Sequence, residues 1–194
     1  MAHVIHIHEN ADKAKSLIYH ECRMYAAYLT RLCGMFDTCY MKREFVEQAL
    51  VRKCGWHANT LIPEVEIQYP DGICRADFIC ISVSGYATEF EVKSSSADWE
   101  HDKKKIKWRH PFPPYIKRFI YVAPASLKIP DWINASAGVW QVNDDGAITI
   151  ARRPQILCKQ TVTDAQIERW KKNLYYRYWD LRYSTYLREA LHDA

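Results

Sequence analysis

The chain contains no C-x-x-C pair, no long apolar run, no internal repeat and no low-complexity segment. Its seven cysteines, Cys22, Cys33, Cys39, Cys54, Cys74, Cys80 and Cys158, are odd in number and fall mostly inside periodic apolar segments. A disulfide framework or a cysteine zinc site is therefore not expected, and they read as reduced core thiols. No stretch reaches the roughly 18 to 20 uninterrupted apolar residues of a membrane span. The start, M-A-H-V-I-H-I-H-E-N, lacks the charged-then-apolar order of a signal peptide. A cytoplasmic protein without membrane contact is expected. His3, His6 and His8 have no cysteine partners, and so short a terminal cluster reads as a strand-like start rather than a metal site.

What is present suits one packed domain. The 194 residues are 48% hydrophobic, enough for a single core and too few for two domains of ordinary size. The net charge of +4 is unevenly spread. Residues 100–118 carry seven Lys/Arg against Glu100 and Asp102, and residues 151–192 carry nine against four acids. An acidic remainder beside two basic segments is the layout expected where acidic residues that hold a metal meet a polyanion, although solvated helix faces give the same counts.

The periodicity predicts a helix over 11–33 stopped by Gly34, and a second over Thr38 to Cys54 closed by Gly55. Three strand-like runs follow, L-I-P-E-V-E-I-Q-Y, I-C-R-A-D-F-I-C-I-S-V and Y-A-T-E-F-E-V-K, punctuated by Pro70-Asp71-Gly72 and Ser84-Gly85. Ser95 and Asp98 have capping-box spacing for a helix that must end before His110, because of Pro111, Pro113 and Pro114. A fourth strand, Y-I-K-R-F-I-Y-V-A, and a hairpin around Asp145-Gly146 come next. Thr163 and Gln166 open a last helix running to about His192. The expected fold is α/β (α+β), a mixed central sheet flanked by helices. It forms one domain over 1–194, with an N-terminal helical extension (1–36), a core (38–160) and a long C-terminal helix (163–192).

The stretch T-E-F-E-V-K puts Glu89, Glu91 and Lys93 on one side of a strand whose other side is Phe90 and Val92. Burying such charges is costly unless they are paired or hold a metal. In the preceding strand Asp77 shares a side with Ile79 and Ile81. That side reads as a buried face with Asp77 at its rim. Two carboxylates on neighbouring strands can hold Mg²⁺ or Mn²⁺, and an ammonium about 7 Å further along the same face can orient a water. The competing reading is a structural ion pair, Asp77 and Glu91 neutralised by Lys93. Glu89 continues the row, either at solvent or beside a second metal.

Asp77 followed by Glu91-Val92-Lys93 resembles the PD-(D/E)XK nuclease motif. R-A-D-F, E-V-K-S-S-S-A-D-W, Asp102, Lys104, F-I-Y-V-A-P and G-V-W-Q-V-N-D-D-G together resemble its MmcB-like branch of DNA-repair proteins, over about residues 44–180. The resemblance implies a restriction-endonuclease-like core. It also implies a Mg²⁺-dependent DNA nuclease in which Asp77, Glu91 and the Val92 carbonyl hold the metal and Lys93 positions the attacking water. The family's helix acid matches Glu47 or Glu44, with Glu64 and Glu66 as further candidates. Ala76 stands where the pattern has Pro, and Lys105 where an aromatic is expected. The cysteine triplet of cluster-bearing relatives is absent, so no iron–sulfur cluster is expected.

Lys103, Lys104, Lys105 and Lys107 are the candidate phosphate contacts. On a helix over 97–109, Trp99 and Trp108 face opposite ways, and Trp108 is expected to pack under P-F-P-P, the alternative being to stack on a base beside the lysines. The last helix has one apolar stripe of Ile167, Trp170, Leu174, Tyr178 and Leu181, and a second of Tyr175, Tyr176, Trp179, Tyr183 and Tyr186. The second stripe reads as a seat for the N-terminal helix, with Tyr19, Tyr25 and Tyr28, or as a homodimer interface, with base stacking a third reading. Two other functions compete with the nuclease, namely a catalytically silent nucleic-acid-binding module of the same fold and a structural protein that binds a partner through the aromatic helix.

Overall fold

The computed structural model describes residues 42–55 and 57–192. The described residues fall within one compact unit, Met41–Ala194. The expected helix over 11–33, the terminal histidines and the tyrosines at 19, 25 and 28 lie outside the described residues.

Helix α1 (Arg43–Cys54) buries Val46, Ala49, Leu50 and Cys54, the spacing of one helix face. Its predicted start at Thr38 falls in the undescribed segment, but Lys42 is already extended (φ −64, ψ 144) as the N-cap. Gly55 closes it with φ 62, a left-handed turn that favours glycine. Strands β1 (Thr60–Tyr69), β2 (Gly72–Ile81) and β3 (Ala87–Val92) form an antiparallel meander. A crossover through α2 (Ser96–Asp102) and a 3-10 turn (Ile106–Arg109) brings β4 (Ile116–Pro124) parallel to β3. Strand β5 (Gly138–Val142) runs parallel to β4, and β6 (Ile148–Arg152) closes the sheet antiparallel. Strand order is β1-β2-β3-β4-β5-β6. Among the described residues the fold is thus a six-strand mixed sheet with three α-helices, of α+β class, as expected from the sequence. Helix α3 (Asp164–His192) starts where predicted, with the Thr163 hydroxyl accepting the Gln166 amide proton at 3.2 Å.

The two faces of the sheet have different tenants. Phe78, Phe90, Val92, Ile120, Val122 and Val142 pack against α1. On the other face Ile79, Ile81, Ala87 and Ile116 join Trp170 of α3, while Phe119, Tyr121 and Ala123 join Trp99 of α2.

One strand departs from simple alternation. Cys74, Ala76, Ile79 and Ile81 of β2 share one core, so the two-residue period breaks at Asp77. Opposite it, Ile62 and Val65 of β1 also share that core, and Glu64 between them has φ 50. Asp77 therefore does not stand in a row with Ile79 and Ile81, as its sequence position suggests, but at the crossing point between the two faces.

The helix predicted to reach residue 109 ends at Asp102. Lys105 is extended (φ −65, ψ 136), and both Lys105 and Lys107 point back at the sheet. Residues two apart lie on nearly opposite sides of an α-helix, so this segment cannot be one. Trp99 and Trp108 consequently enter the same core instead of facing opposite ways. Trp108 packs edge-on to Phe112 of P-F-P-P (5.8 Å) and to Phe119 (5.2 Å), the packing expected of it.

Candidate functional site

Glu89, Glu91 and Lys93 sit on the face of β3 opposite Phe90 and Val92, and all three are buried. Asp102 at the end of α2 and Lys107 on the 3-10 turn close over them, at 0% and 1% exposure. Lys93 Nζ lies 3.0 Å from Glu91 Oε1 and 2.9 Å from Asp102 Oδ1. Lys107 Nζ bridges Glu89 Oε1 (2.9 Å) and Glu91 Oε2 (2.8 Å). Lys105 Nζ donates to Glu91 Oε1 and lies 3.2 Å from Asp102 Oδ1. The Tyr121 hydroxyl donates to Asp102 Oδ2, and the Trp108 indole N–H donates to the Asp102 carbonyl at 2.8 Å. Three carboxylates thus face three ammonium groups in the interior.

The local fold explains how they meet. Alternation along β3 aims residues 89, 91 and 93 the same way. Ser95 caps α2 by accepting the Asp98 amide proton at 3.2 Å, and seven residues later the helix delivers Asp102 to the sheet. The turn over 103–105, the extended Lys105 and the 3-10 turn after it then bring Lys105 and Lys107 back onto Glu91, with Lys107 reaching Glu89 as well.

Asp77 stands at the edge of this array. The β2–β3 ladder stops at Phe78 opposite Phe90, and beyond it Asp77 Oδ2 accepts the Val92 amide proton at 2.6 Å. Its Oδ1 accepts from Arg43 of α1 at 2.6 Å, and Arg43 Nε donates to Glu47 at 2.8 Å. Glu47 is therefore linked to Asp77 through a shared guanidinium. Glu44 occupies the first turn of the same helix. Glu64 is held by Arg177 (2.8 Å) and Glu66 faces Arg75 at 3.9 Å, both in exposed pairs.

Charge states follow from these contacts. Burial alone would raise Glu91, but Lys107, Lys105 and Lys93 outweigh it and hold the carboxyl well below the usual range. Burial raises Asp77, helped by the nearby charge of Glu91 and opposed by Arg43. Burial also raises Glu47 and Glu89 despite their cationic partners. For Lys107 burial acts downward, yet Glu89, Glu91 and Asp102 push it well above its ordinary value.

The lysines predicted to contact phosphate divide into two pairs. Lys103 and Lys104 are exposed, and Lys103 pairs with Glu100 at 2.8 Å. Lys107 is fully buried and Lys105 is tied to Glu91, so neither is free for a phosphate as arranged. Glu89, expected at solvent or beside a second metal, is instead buried against Lys107. The sequence reading did not select Arg43 or Tyr121 for the site. Arg43 has a local signal, its position four residues before Glu47 on a helix. Tyr121 has none, because its strand reaches Asp102 only through the crossover.

No family model and no curated protein matches the chain. Among solved structures it is similar to the SPO1766 protein of unknown function from Silicibacter pomeroyi. The TM-score is 0.53 with 18% identity, over 75% of this chain and 94% of that one. At this identity the likeness carries the fold alone, a six-strand mixed α+β domain.

Proposed function

We propose that this domain is a metal-dependent nuclease of the PD-(D/E)XK kind, acting on DNA in repair or nucleic-acid processing, with Asp77, Glu91 and Lys93 at its centre and Glu47 as accessory acid. The observation that carries the reading is the end of β3. Glu91 and Lys93 are buried side by side while the amide between them is held by the Asp77 carboxylate of the adjacent strand. Buried ion arrays are weak devices for stability, since apolar residues of similar volume do as well or better. Perturbed carboxylates and lysines gathered on one face instead suit a chemical role.

A hard divalent cation, Mg²⁺ or Mn²⁺, matches the donor set in kind. The carboxylates come from adjacent strands, and one buried carboxylate oxygen, Glu89 Oε2, has no partner. Among the described residues no three His, Cys, Asp or Glu side chains already converge as a metal site. The oxygens of Asp77 and Glu91 are held by Arg43, the Val92 amide and three lysines. Asp77 and Glu91, with the Val92 carbonyl, would hold the ion, which when bound supplies a Lewis acid for the phosphate and an acidified water. The chain's own part is positional. Lys93 keeps an ammonium beside Glu91, where it orients the nucleophile and offsets charge on the phosphate. Asp102 fixes that ammonium, and Tyr121 fixes Asp102. Exposed Lys103 and Lys104 hold the backbone of the nucleic acid.

The test is cleavage of labelled single-stranded, duplex and flap DNA in Mg²⁺ or Mn²⁺ by wild type, Lys93→Ala and Asp77→Asn. Cutting by wild type and loss of about 10²-fold or more in both variants is the expected result. A second reading, a silent nucleic-acid-binding module, is favoured by the protein's own donors already holding every carboxylate oxygen of Asp77, Glu89, Glu91 and Asp102 except Glu89 Oε2. DNA binding with a steep salt dependence but no cleavage would establish it. A third, a structural protein bound to its partner or to a second copy through α3, rests on Tyr175, Tyr176, Trp179 and Tyr183, all about half exposed or more.

A further inference from the structure

The three lysines of the buried array are not equivalent. The side chains of Lys93 and Lys107 are 4% and 1% exposed, whereas that of Lys105 is 30% exposed. Lys93 is fixed by the strand and Lys107 by the cores around it. Lys105 instead follows a short turn whose other members, Lys103 and Lys104, face solvent. Its ammonium bridges Glu91 Oε1 and Asp102 Oδ1, the same two oxygens that the buried Lys93 ammonium holds at 3.0 and 2.9 Å. With all three lysines in place, Glu89, Glu91 and Asp102 are balanced charge for charge. Without Lys105 the array carries one uncompensated negative charge in the interior, and Glu89 Oε2 is already a buried oxygen without a partner. Charge left uncompensated there is costly, and a cation beside Lys93 would offset it.

We infer that the position between Glu91 and Asp102 is a cation site whose resident occupant is the Lys105 ammonium, and that a divalent metal enters by displacing it. Lys105 then joins Lys103 and Lys104 on the exposed turn, and Asp102 becomes a ligand in addition to Glu91. The resting protein is closed by its own side chain, and its apparent metal affinity is lowered by the fraction of molecules in which Lys105 is in place. The inference rests on the metal-dependent reading above, and its test separates the two.

Mn²⁺ binding to the full chain is measured by calorimetry and by the Mn²⁺ resonance signal for wild type, Lys105→Met and Lys105→Met/Glu91→Gln. In parallel, acetic anhydride labelling of wild-type lysines is mapped by mass spectrometry with and without Mn²⁺. Lys105→Met is expected to bind Mn²⁺ about tenfold or more tightly than wild type, the second substitution to abolish binding, and Mn²⁺ to raise labelling of Lys105 several-fold while Lys93 and Lys107 stay protected. Equal Mn²⁺ affinity in wild type and Lys105→Met, with loss on Glu91→Gln, overturns the inference and leaves the metal-dependent reading standing. Absence of Mn²⁺ binding in both overturns the two together. If Lys105→Met does not fold, the labelling of wild type decides, and unchanged Lys105 reactivity at saturating Mn²⁺ overturns the inference.

Discussion

Strand β3 has two sides that are equally buried and chemically opposite. Phe90 and Val92 enter a wholly apolar core under α1, at 2% and 1% exposure. Glu89 and Glu91, at 1% and 2%, enter an ionic one under α2 and the 3-10 turn. The difference teaches what burial does on each side. On the apolar side it is the source of stability, through area removed from water. On the ionic side it is a cost that mutual pairing offsets.

That comparison breaks most sharply at Lys107 and Phe90. Lys107→Met keeps much of the volume but leaves Glu89 and Glu91 short of a cation, and about 3–5 kcal/mol of stability should be lost. Phe90→Ala should lose a similar amount, about 3–5 kcal/mol, by opening a cavity. The two separate when a second change is added. Glu89→Met should return part of the stability lost in Lys107→Met, while no polar substitution should restore Phe90→Ala. Urea unfolding at neutral pH measures all of these.

Acid separates the two sides next. The folded state holds Glu91 below its unfolded value, so its contribution is complete above about pH 5 and is lost as pH falls through the lower folded value. Glu89 is shifted the other way, and its ionisation costs stability as pH rises through the raised value. Glu91→Gln should therefore flatten the acid limb of the unfolding midpoint below about pH 4, and Phe90→Ala should leave its shape unchanged. A retained acid limb in Glu91→Gln would show that other carboxylates dominate.

A smaller effect is expected at the rim. Arg43 is 41% exposed, so Arg43→Met should cost about 1 kcal/mol, while freeing the Asp77 and Glu47 carboxylates. The smallest lies at the surface. Glu100→Ala breaks an exposed pair with Lys103 and should change stability by less than about 0.5 kcal/mol. If the DNA-binding reading holds, Lys103→Ala and Lys104→Ala should each reduce the slope of log affinity against log salt by about 0.9 on duplex DNA. Lys107→Met should change that slope little, because its ammonium does not reach solvent.

Much of this layout is legible along the chain, because it depends on local periods. Alternation in T-E-F-E-V-K gives the two sides of β3, Pro70-Asp71-Gly72 and Asp145-Gly146 give the hairpins, and Ser95 and Thr163 give two helix starts. On α3 Trp170 of the first stripe is buried in the core, whereas Tyr175, Tyr176, Trp179 and Tyr183 of the second are exposed, and the N-terminal helix expected to cover them lies outside the described residues. The misreadings share one cause. A helical wheel over 97–109 assumes a single period, whereas the chain changes period at Lys103 to bring Lys105 and Lys107 onto the sheet. Alternation through R-A-D-F-I assumes an unbroken strand, whereas the left-handed residue Glu64 opposite Asp77 accompanies a switch of faces.

By itself the sequence determined which residues carry charge and how often they recur, and hence that β3 has an apolar side and an ionic side. Only the tertiary structure decided that the ionic side is covered, that Asp102, Lys105 and Lys107 return from the crossover to neutralise it, and that Arg43 joins Asp77 to Glu47. Local periodicity fixes the direction of a side chain within its element. The partner it finds depends on the crossover between strands, where long-range packing, not the neighbouring residues, sets the geometry.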